Sequence, residues 1–378
     1  FKQLYGNLNR VNNSHNRNTF KAKKYSNLMG LARIFKKTEF WLIVLFVVVL
    51  TVRLFIAFQT PNFNYDSYFT LRQVEHIGKT GFPLYEDPLS YGGKTHLFAP
   101  LYYYVLATFD LIMPLNLVAK IIPNIFAALL VVLIYFLALR ISKHQNISLI
   151  TAFISGFIPV LFFGTNGISM YYFTALLTFS AIYCIFRLNE RKYVDYVLIL
   201  MFLLVLTSPI VFVLVLGLLF YMILLKTENL ELEMKELELF LFFTFLVFWL
   251  NLLIYKKAFF EHGILVIWQN MPVSVISNFF AQLTFTEIFI AISIFPLLLG
   301  LYGIYSALYI QKNKNVLLLI GFALATFVLL WFKLINLIDG LIFLSITLAL
   351  LSAFSLKRIS EFIEKSKINK YFKWITAI

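Results

Sequence analysis

Residues 40–58 read FWLIVLFVVVLTVRLFIAF, a run in which Thr51 and Arg53 are the polar residues. An α-helix needs about 20 mostly apolar residues to cross the hydrocarbon core of a bilayer, so this run predicts a membrane-spanning helix. Runs of similar character recur at Leu117–Leu139, Val194–Leu206 with its continuation Ile210–Leu225, and Leu317–Trp331. The sequence therefore predicts an all-α, polytopic membrane protein with about ten or eleven transmembrane helices.

The composition excludes other classes of protein. Of the 378 residues, 61% are apolar and 13% are charged, whereas soluble domains carry roughly half apolar and a quarter charged residues. The formal net charge of +14 does not indicate a nucleic-acid partner, because the basic residues flank the apolar runs, as the positive-inside rule predicts. The single cysteine, Cys184, lies within an apolar run and leaves no disulfide framework or thiolate metal site.

The distribution of Lys and Arg predicts the orientation in the cell membrane. Residues 1–38 contain nine basic residues and no acidic residue, which places this segment in the cytoplasm. The helix over residues 40–58 then runs outward, and loop 59–115 is expected on the external face. The predicted organisation is a basic cytoplasmic segment (1–38) followed by a transmembrane domain (39–378).

Whether Leu97–Met113 spans the membrane decides the later topology. If this segment lies in the interface, helices over 116–139, 147–163 and 173–186 follow, and 23 of the 32 basic residues fall in the cytoplasm. Asp110 and the following Pro114 also suit an interface, so the interfacial arrangement is favoured. The acidic stretch Lys226–Glu238 then predicts a helix extension on the cytoplasmic surface, and the outward-facing segments are 59–115, 164–172, 255–286 and Lys333–Asp339.

Residues 59–96 form a large polar loop, QTPNFNYDSYFTLRQVEHIGKTGFPLYEDPLSYGGKTH. Connections between helices are usually short, so this length indicates a function. Ser67–Lys79 fits a short amphipathic helix with an apolar face. Asp66 directly precedes it and suits either a helix cap or a catalytic carboxylate; one carboxylate can do both.

Other loop residues also have two interpretations. Glu86 and Asp87, which lie between turn residues, are either solvated acids or substrate contacts. His96 is either a base or a hydrogen-bonded bystander. Tyr102–Tyr104 predicts an interfacial aromatic belt or the wall of a groove for an isoprenoid tail.

One set of motifs resembles a known family. The residues are Asp66-Ser-Tyr-Phe-x-Leu-Arg-x-x-Glu75, Phe82-Pro83, Asp87-Pro88-Leu-Ser-Tyr91 and Gly93. They resemble the first external loop of oligosaccharyltransferase catalytic subunits and, more broadly, of the GT-C glycosyltransferase superfamily. Pro100-Leu-Tyr-Tyr-Tyr104 resembles the proline-led interfacial helix of that superfamily, and Arg53 is similar to a common feature there. The resemblance covers the first four helices well and the remainder weakly.

The resemblance implies a GT-C-like fold and glycosyl transfer from a polyprenyl-phosphate-linked donor to an acceptor protein, glycan or lipid. It implies that Asp66 is the central catalytic acid, as a metal ligand or as a base toward the acceptor. The weak acceptor nucleophile needs a positioned carboxylate. The departing phosphate needs a cation, either Mg²⁺ or Mn²⁺ or a basic side chain.

Two positions depart from the family pattern. Oligosaccharyltransferases carry a second acidic pair at the start of the fourth helix, where this chain has Phe173 and Ala175.

Thr284-Phe-Thr-Glu287 resembles the Thr-x-x-Glu motif of the fifth external loop, which implies a catalytic Glu287; the alternative is an acid at the membrane boundary. The tryptophan-rich motif of the family's C-terminal soluble domain is missing from these residues, so that domain is expected to be absent or truncated.

Three hypotheses follow. The first is an oligosaccharyltransferase homologue with an altered metal site. The second is a metal-independent enzyme that uses a polyprenyl monophosphate sugar, with Asp66 as base and Arg72, Lys333 or the pair Lys256 and Lys257 facing the phosphate; its activity should survive EDTA. The third is a lipid transporter or an inactive lipid-glycan-binding relative. Lys333 is favoured as a phosphate contact, although Lys333 and Asp339 could also form an interfacial ion pair.

Overall fold

A computed structural model describes residues 38–89, 93–263 and 284–365 of the chain. By its contacts the chain divides into two units, Phe1–Leu45 and Phe46–Ile378. The first unit contributes the beginning of helix α1 (Thr38–Phe58), and the fold described below is that of the second. The predicted cytoplasmic segment 1–38 lies almost entirely outside the described residues, as do residues 90–92 of the loop.

The described part of the second unit is nearly all helical. After α1 the helices are α2 (Tyr65–Thr80), α3 (Leu101–Asp110), α4 (Leu115–Ser142), α5 (Gln145–Gly156), α6 (Tyr171–Ile185), α7 (Arg191–Val205), α8 (Phe212–Thr227), α9 (Met234–His262), α10 (Phe285–Ile292), α11 (Ile294–Tyr309), α12 (Lys314–Trp331) and α13 (Leu337–Lys365). Strands β1 (Glu86–Asp87) and β2 (Lys94–Thr95) pair antiparallel in the first loop.

Six of the described helices are long and apolar enough to cross a membrane: Thr38–Phe58, Leu115–Ser142, Pro209–Thr227, Met234–Glu261, Lys314–Trp331 and Leu337–Ile363. A bent pair, α10 with α11, makes a seventh span if it counts as one. The chain is a multi-pass membrane protein of the predicted all-α class. The prediction of ten or eleven spans also counts α5, α6 and α7 as spans. These helices have 12, 15 and 15 residues, so each is only about 18–23 Å long.

Prolines follow the ends of two of these short helices, α5 and α7. The predicted helix over 147–163 is wrong in its second half, because α5 ends at Gly156 and a 3₁₀ turn, Pro159–Phe162, follows. Proline lacks the backbone donor that a helix interior needs. Pro209 likewise opens a 3₁₀ turn between α7 and α8, which separates the apolar run Val194–Leu206 from its continuation.

The core of the bundle surrounds α13. In the most apolar stretch of this helix, 89% of the residues are buried. Glycines allow the closest helix contacts. A Cβ at Gly303 of α11 would lie 2.6 Å from the carbonyl oxygen of Leu351 in α13, and one at Gly321 of α12 would lie 2.7 Å from the backbone nitrogen of Tyr221 in α8. Small residues at such contacts let membrane helices approach closely, so these helix pairs have little freedom to slide.

The segment 59–115 contains α2, the β1–β2 hairpin and α3. The ten residues of α3 extend about 15 Å, half of the hydrocarbon thickness, so α3 does not span. The Gln73 side chain holds α2 against the loop, since its Nε2 donates to the Leu84 carbonyl and its Oε1 accepts from the Leu84 backbone nitrogen, both at 2.9 Å. Gly81 ends α2 in the left-handed conformation, with φ of 80°.

Two further boundaries differ from the prediction. Lys226–Glu238 is not one helix extension, because α8 ends at Thr227 and α9 begins at Met234, with Glu233 and Glu236 forming a capping box. The segment predicted to be a loop over 255–286 is helical up to His262 in α9. Residues 264–283 of that segment lie outside the described residues.

Candidate functional site

Asp66 lies in the first turn of α2, two residues after Asn64. The prediction that Asp66 precedes the helix as its cap is wrong: α2 begins at Tyr65, and Asn64 occupies the N-cap position. The Asp66 side chain is exposed and accepts no hydrogen bond from the residues that the structure describes. A carboxylate at a helix N-terminus is favoured by the helix dipole.

The turn before α6 packs on this end of α2. The Ser67 hydroxyl accepts a hydrogen bond of 2.9 Å from the backbone nitrogen of Ile168. Gly167 permits the close approach, since a Cβ there would lie 3.2 Å from Asn64 Nδ2 and 3.3 Å from Ser67 Oγ. The predicted outward turn 164–172 therefore lies beside Asp66, although the two are about 100 residues apart in the sequence.

Burial, followed by the negative charges of Asp339 and Asp66, raises the pKa of Tyr171, the first residue of α6. Asp339 lies in the first turn of α13 and is 6% exposed. Its Oδ1 has no hydrogen-bond partner among the described residues. An ionised carboxylate buried in this way needs a proton or a cation.

A buried arginine is hydrogen-bonded to the 3₁₀ turn Pro159–Phe162. Arg53 is 1% exposed. Its Nε donates to Asn124 Oδ1 at 3.0 Å, and its Nη1 donates to the Leu161 carbonyl at 2.6 Å. The guanidinium lies 4.4 Å from the ring centroid of Tyr172 and 5.2 Å from that of Phe162, within the range of cation–π attraction. Its Nη2 is buried without a described hydrogen-bond partner.

A second buried cation belongs to the same network. Lys120 of α4 is 8% exposed, and its ammonium donates to the carbonyls of Ala57, at 2.9 Å, and Thr60. Asn124, which accepts from Arg53, also donates through Nδ2 to the backbone carbonyl of Lys120 at 2.8 Å. The hydrogen-bond acceptors of both cations are neutral. The sequence did not predict that Arg53 and Lys120 are both buried, with no ion pair to an acid in the described part of the chain.

Two solved membrane proteins share this arrangement of helices. The oligosaccharyltransferase of Archaeoglobus fulgidus, in complex with zinc and sulfate, matches with a TM-score of 0.58 and 18% identity over 89% of this chain and 51% of its own. ArnT from Cupriavidus metallidurans, bound to undecaprenyl phosphate, matches with a TM-score of 0.56 and 14% identity over 84% of this chain and 60% of its own. The fold is the GT-C fold.

These likenesses confirm the predicted GT-C fold and go no further. This chain spans 51% and 60% of the length of the two matched proteins. No protein-family model and no curated protein matches the sequence.

The positions of the missing acidic pair are part of the apolar core. Phe173 packs against Tyr102 and Phe126, with ring centroids 5.7 and 5.0 Å apart, and Ala175 is fully buried. Neither position could present a ligand to Asp66. The prediction of an interfacial belt at Tyr102–Tyr104 is wrong for two of its members, because Tyr102 and Tyr103 are buried; Tyr102 donates to the Ser169 carbonyl.

The predicted substrate contacts of the first loop have partners within the protein. Arg72 Nη2 lies 2.8 Å from Asp87 Oδ1, and the same oxygen accepts from the Leu89 backbone nitrogen at 3.0 Å. His96 packs on the ring of Phe69, with centroids 5.0 Å apart. These contacts order the loop. Glu86 is exposed on β1.

One further acid on α2 provides a useful reference. Glu75 is exposed and accepts a hydrogen bond of 2.6 Å from Lys79, one turn later. The hydrogen bond and positive charge of Lys79 hold the pKa of Glu75 below its ordinary value. Glu75 is thus a paired carboxylate on the same helix as Asp66.

The remaining predicted site residues lie on later helices. Glu287 completes a capping box at the start of α10, where its side chain accepts from the backbone nitrogen of Thr284 at 2.6 Å. Its resemblance to the family motif remains, but its carboxylate already caps a helix. Lys333 is exposed just after α12, with a positive φ of 59°, in the connection that leads to Asp339.

The described residues contain no group of three or more His, Cys, Asp or Glu side chains that could hold a metal ion. Asp66, the predicted metal ligand, offers one exposed carboxylate, and carboxylate oxygens are the ligands that Mg²⁺ and Mn²⁺ prefer. A cation site with three protein carboxylates does not fit the described residues.

Proposed function

We propose that this protein is a glycosyltransferase. It moves a sugar or oligosaccharide from a polyprenyl-phosphate-linked donor to an acceptor on the external face of the membrane. The observation that carries the proposal is the position of Asp66 in the GT-C fold. This exposed carboxylate has no described hydrogen-bond donor and lies beside the turn before α6. The likeness to a protein bound to undecaprenyl phosphate supports the class of donor.

Asp66 is the proposed base. The acceptor nucleophile forms a bond to the anomeric carbon of the donor sugar, and its proton passes to the Asp66 carboxylate. The bond between that carbon and the phosphate oxygen breaks, and its electron pair leaves with the phosphate. A positioned base contributes roughly 10²–10⁴-fold to such a step. A bound divalent cation would neutralise the departing phosphate.

Arg53 and Lys120 supply a fixed positive potential below the site. Both are buried, and the hydrogen-bond acceptors of both are neutral. Preorganised positive charge favours the developing phosphate anion without reorganisation during the reaction. The proposed external orientation rests on the positive-inside rule, by which basic segments stay in the cytoplasm. Residues 1–38 contain nine basic residues and no acidic residue.

The test is transfer by Asp66→Asn and Asp66→Ala variants, assayed in liposomes with a short polyprenyl-phosphate sugar and a mixed set of acceptors. Both substitutions are expected to lower transfer by about 10²-fold or more, because the base is lost. Glu75→Gln is the matched control, since it removes a paired carboxylate from the same helix. Full activity of folded Asp66→Ala protein would overturn the mechanism.

The same assay separates the proposal from the transporter and inactive-relative hypotheses. An inactive relative binds the donor without transfer in the wild-type protein. A transporter moves the donor lipid across the bilayer without breaking the sugar–phosphate bond. Formation of a glycosylated acceptor by the wild-type protein, and its loss in the Asp66 variants, excludes both.

A further inference from the structure

Lys120 donates its hydrogen bonds to the end of another helix. It is buried in the second turn of α4, and its ammonium donates to the carbonyls of Ala57, at 2.9 Å, and Thr60. Ala57 lies in the last turn of α1, where backbone carbonyls have no partner within the helix. It is also fully buried, so water does not reach it. Lys120 thus closes the end of α1, where a cation is favoured by the helix dipole.

The same ammonium contacts two aromatic rings at and beyond this helix end. Lys120 Nζ lies 5.4 Å from the ring centroid of Phe58 and 5.5 Å from that of Phe63, within the range of cation–π attraction. Its four contacts therefore extend over residues 57–63. Among the described residues, both hydrogen bonds that reach this segment from another helix come from Lys120. Residues 58–62 are exposed, so the buried ammonium ties this segment to α4.

The segment held by Lys120 leads directly to Asp66. Two residues separate Phe63 from Asp66, so their Cα atoms are at most about 11 Å apart. On the other side of Asp66, the Ser67 hydroxyl accepts its hydrogen bond of 2.9 Å from the backbone nitrogen of Ile168. Asp66 therefore lies between two fixed points, one on the Lys120 ammonium and one on the turn before α6.

We infer that Lys120 is a positioning residue for Asp66. The inference rests on the proposed function, in which Asp66 is the base. Lys120 acts through residues 57–63, which set where the carboxylate stands relative to the substrates. A displacement of a catalytic group by about 1 Å can lower the rate by about 10²-fold. This role needs the hydrogen-bond donors of Lys120, whereas its contribution to the positive potential needs only its charge.

The first measurement is the position of residue 66 relative to α4. Nitroxide labels are attached at Asp66→Cys and at Arg140→Cys, an exposed position near the other end of α4. The single native cysteine is removed by Cys184→Ser, and pulsed electron paramagnetic resonance in nanodiscs gives the distance distribution. With Lys120 present, one narrow distribution is expected. Lys120→Met should shift or broaden it, because methionine has a similar length but donates to neither carbonyl.

The second measurement is transfer by the unlabelled variants. Lys120→Met is expected to lower kcat per folded molecule by about tenfold or more and to change KM for the donor by less than about twofold. Lys120→Arg keeps the charge and the donors, so it should restore part of kcat and of the distance distribution.

Ile134→Ala is the matched control for both measurements. It removes a buried side chain from the same helix, away from residues 57–63. It should lower the melting temperature in detergent, because it leaves a cavity in the core. The distance distribution and kcat per folded molecule should stay as in the wild-type protein.

Two results would overturn the inference. The first is an unchanged distance distribution in folded Lys120→Met, even if transfer falls, because the lost charge alone then explains the fall. The second is an altered KM with an unchanged kcat. Should Lys120→Met fail to fold, Phe63→Leu provides the test, since it removes one ring from the ammonium and buries no new polar group. It should broaden the distribution to a smaller extent, and no change in that variant overturns the inference.

The outcomes for this inference and for the proposed function are distinguishable, because the distance measurement needs no sugar transfer. A shifted distribution in Lys120→Met, in a protein that forms no glycosylated acceptor, supports the anchor at residues 57–63 and removes the transferase. Transfer that needs Asp66 but is equal in Lys120→Met and the wild-type protein leaves the glycosyltransferase standing and overturns the positioning role.

Discussion

The two ends of α12 differ in how their charges are compensated. Near its first residue, Lys314, basic and acidic side chains pair: Lys312 lies 2.9 Å from Glu228, and Lys314 lies 3.7 Å from Glu233 and 3.9 Å from Glu236. The other end leads to the region of Asp66, Asp339 and Arg53. There the acids lack described ion pairs, and the arginine is hydrogen-bonded to neutral groups.

The difference indicates which end binds a charged ligand. Charges that pair with each other are already compensated and contribute modestly to stability. Charges that stay unpaired while buried are costly, and perturbed groups of this kind cluster at functional sites. Under the proposed function the chemistry lies at the Asp66 end, and we expect a structural role at the Lys314 end. The following substitutions test that contrast, in addition to those at Asp66.

Arg53→Met should have the largest effect among these substitutions. Transfer is expected to fall by about tenfold or more, because the positive potential below the site is lost. The free energy of unfolding should fall by about 1–3 kcal/mol, because Asn124 Oδ1 loses its donor. Transfer per folded molecule and thermal unfolding in detergent measure the two effects separately.

Arg53→Lys is the matched control for that substitution. It keeps the charge but loses the planar group that donates to both Asn124 and Leu161. We expect it to retain more transfer than Arg53→Met. Equal transfer by the two variants and the wild-type protein would contradict a role for the buried charge.

Arg72→Met and Asp87→Asn should have smaller and equal effects. Each single substitution is expected to lower the free energy of unfolding by about 0.5–1 kcal/mol, since the pair is partly exposed. The double variant should be no worse than the more damaging single one. A selective loss of transfer in Arg72→Met alone would instead support the sequence hypothesis that Arg72 contacts the donor phosphate.

Lys314→Gln should have the smallest effect. Its ion pairs are long and partly exposed, so the free energy of unfolding should change by about 0.5 kcal/mol or less. Transfer should equal that of the wild-type protein. A marked loss of transfer by this variant would break the proposed division between the two ends.

The sequence predicted the elements whose signal is local. The spanning run at residues 40–58 follows from its length, and the amphipathic helix predicted at Ser67–Lys79 follows from periodicity. The non-spanning segment around α3 follows from the distribution of basic residues and from Asp110 and Pro114. The errors at the ends of helices also have local causes. Pro159 stops α5 early, and Asn64 rather than Asp66 occupies the N-cap of α2.

The site could be predicted only in part, because its features depend on residues far apart in the chain. From the sequence, Arg72 appeared available to contact a phosphate. In the structure the β1–β2 hairpin places Asp87 in an ion pair with Arg72. The burial of Asp339, whose Oδ1 has no hydrogen-bond partner among the described residues, was not visible in the sequence. Charge compensation is a property of tertiary packing, and a single sequence does not encode it in any local pattern.

The glycine contacts between α11 and α13 have a consequence for the membrane around the protein. Gly300 and Gly303 lie against Leu348 and Leu351 so closely that no Cβ would fit. We expect the two helices to tilt together when bilayer thickness changes, because neither can slide past these contacts. The position of Asp339 relative to α11 is then expected to be the same in thin and thick membranes.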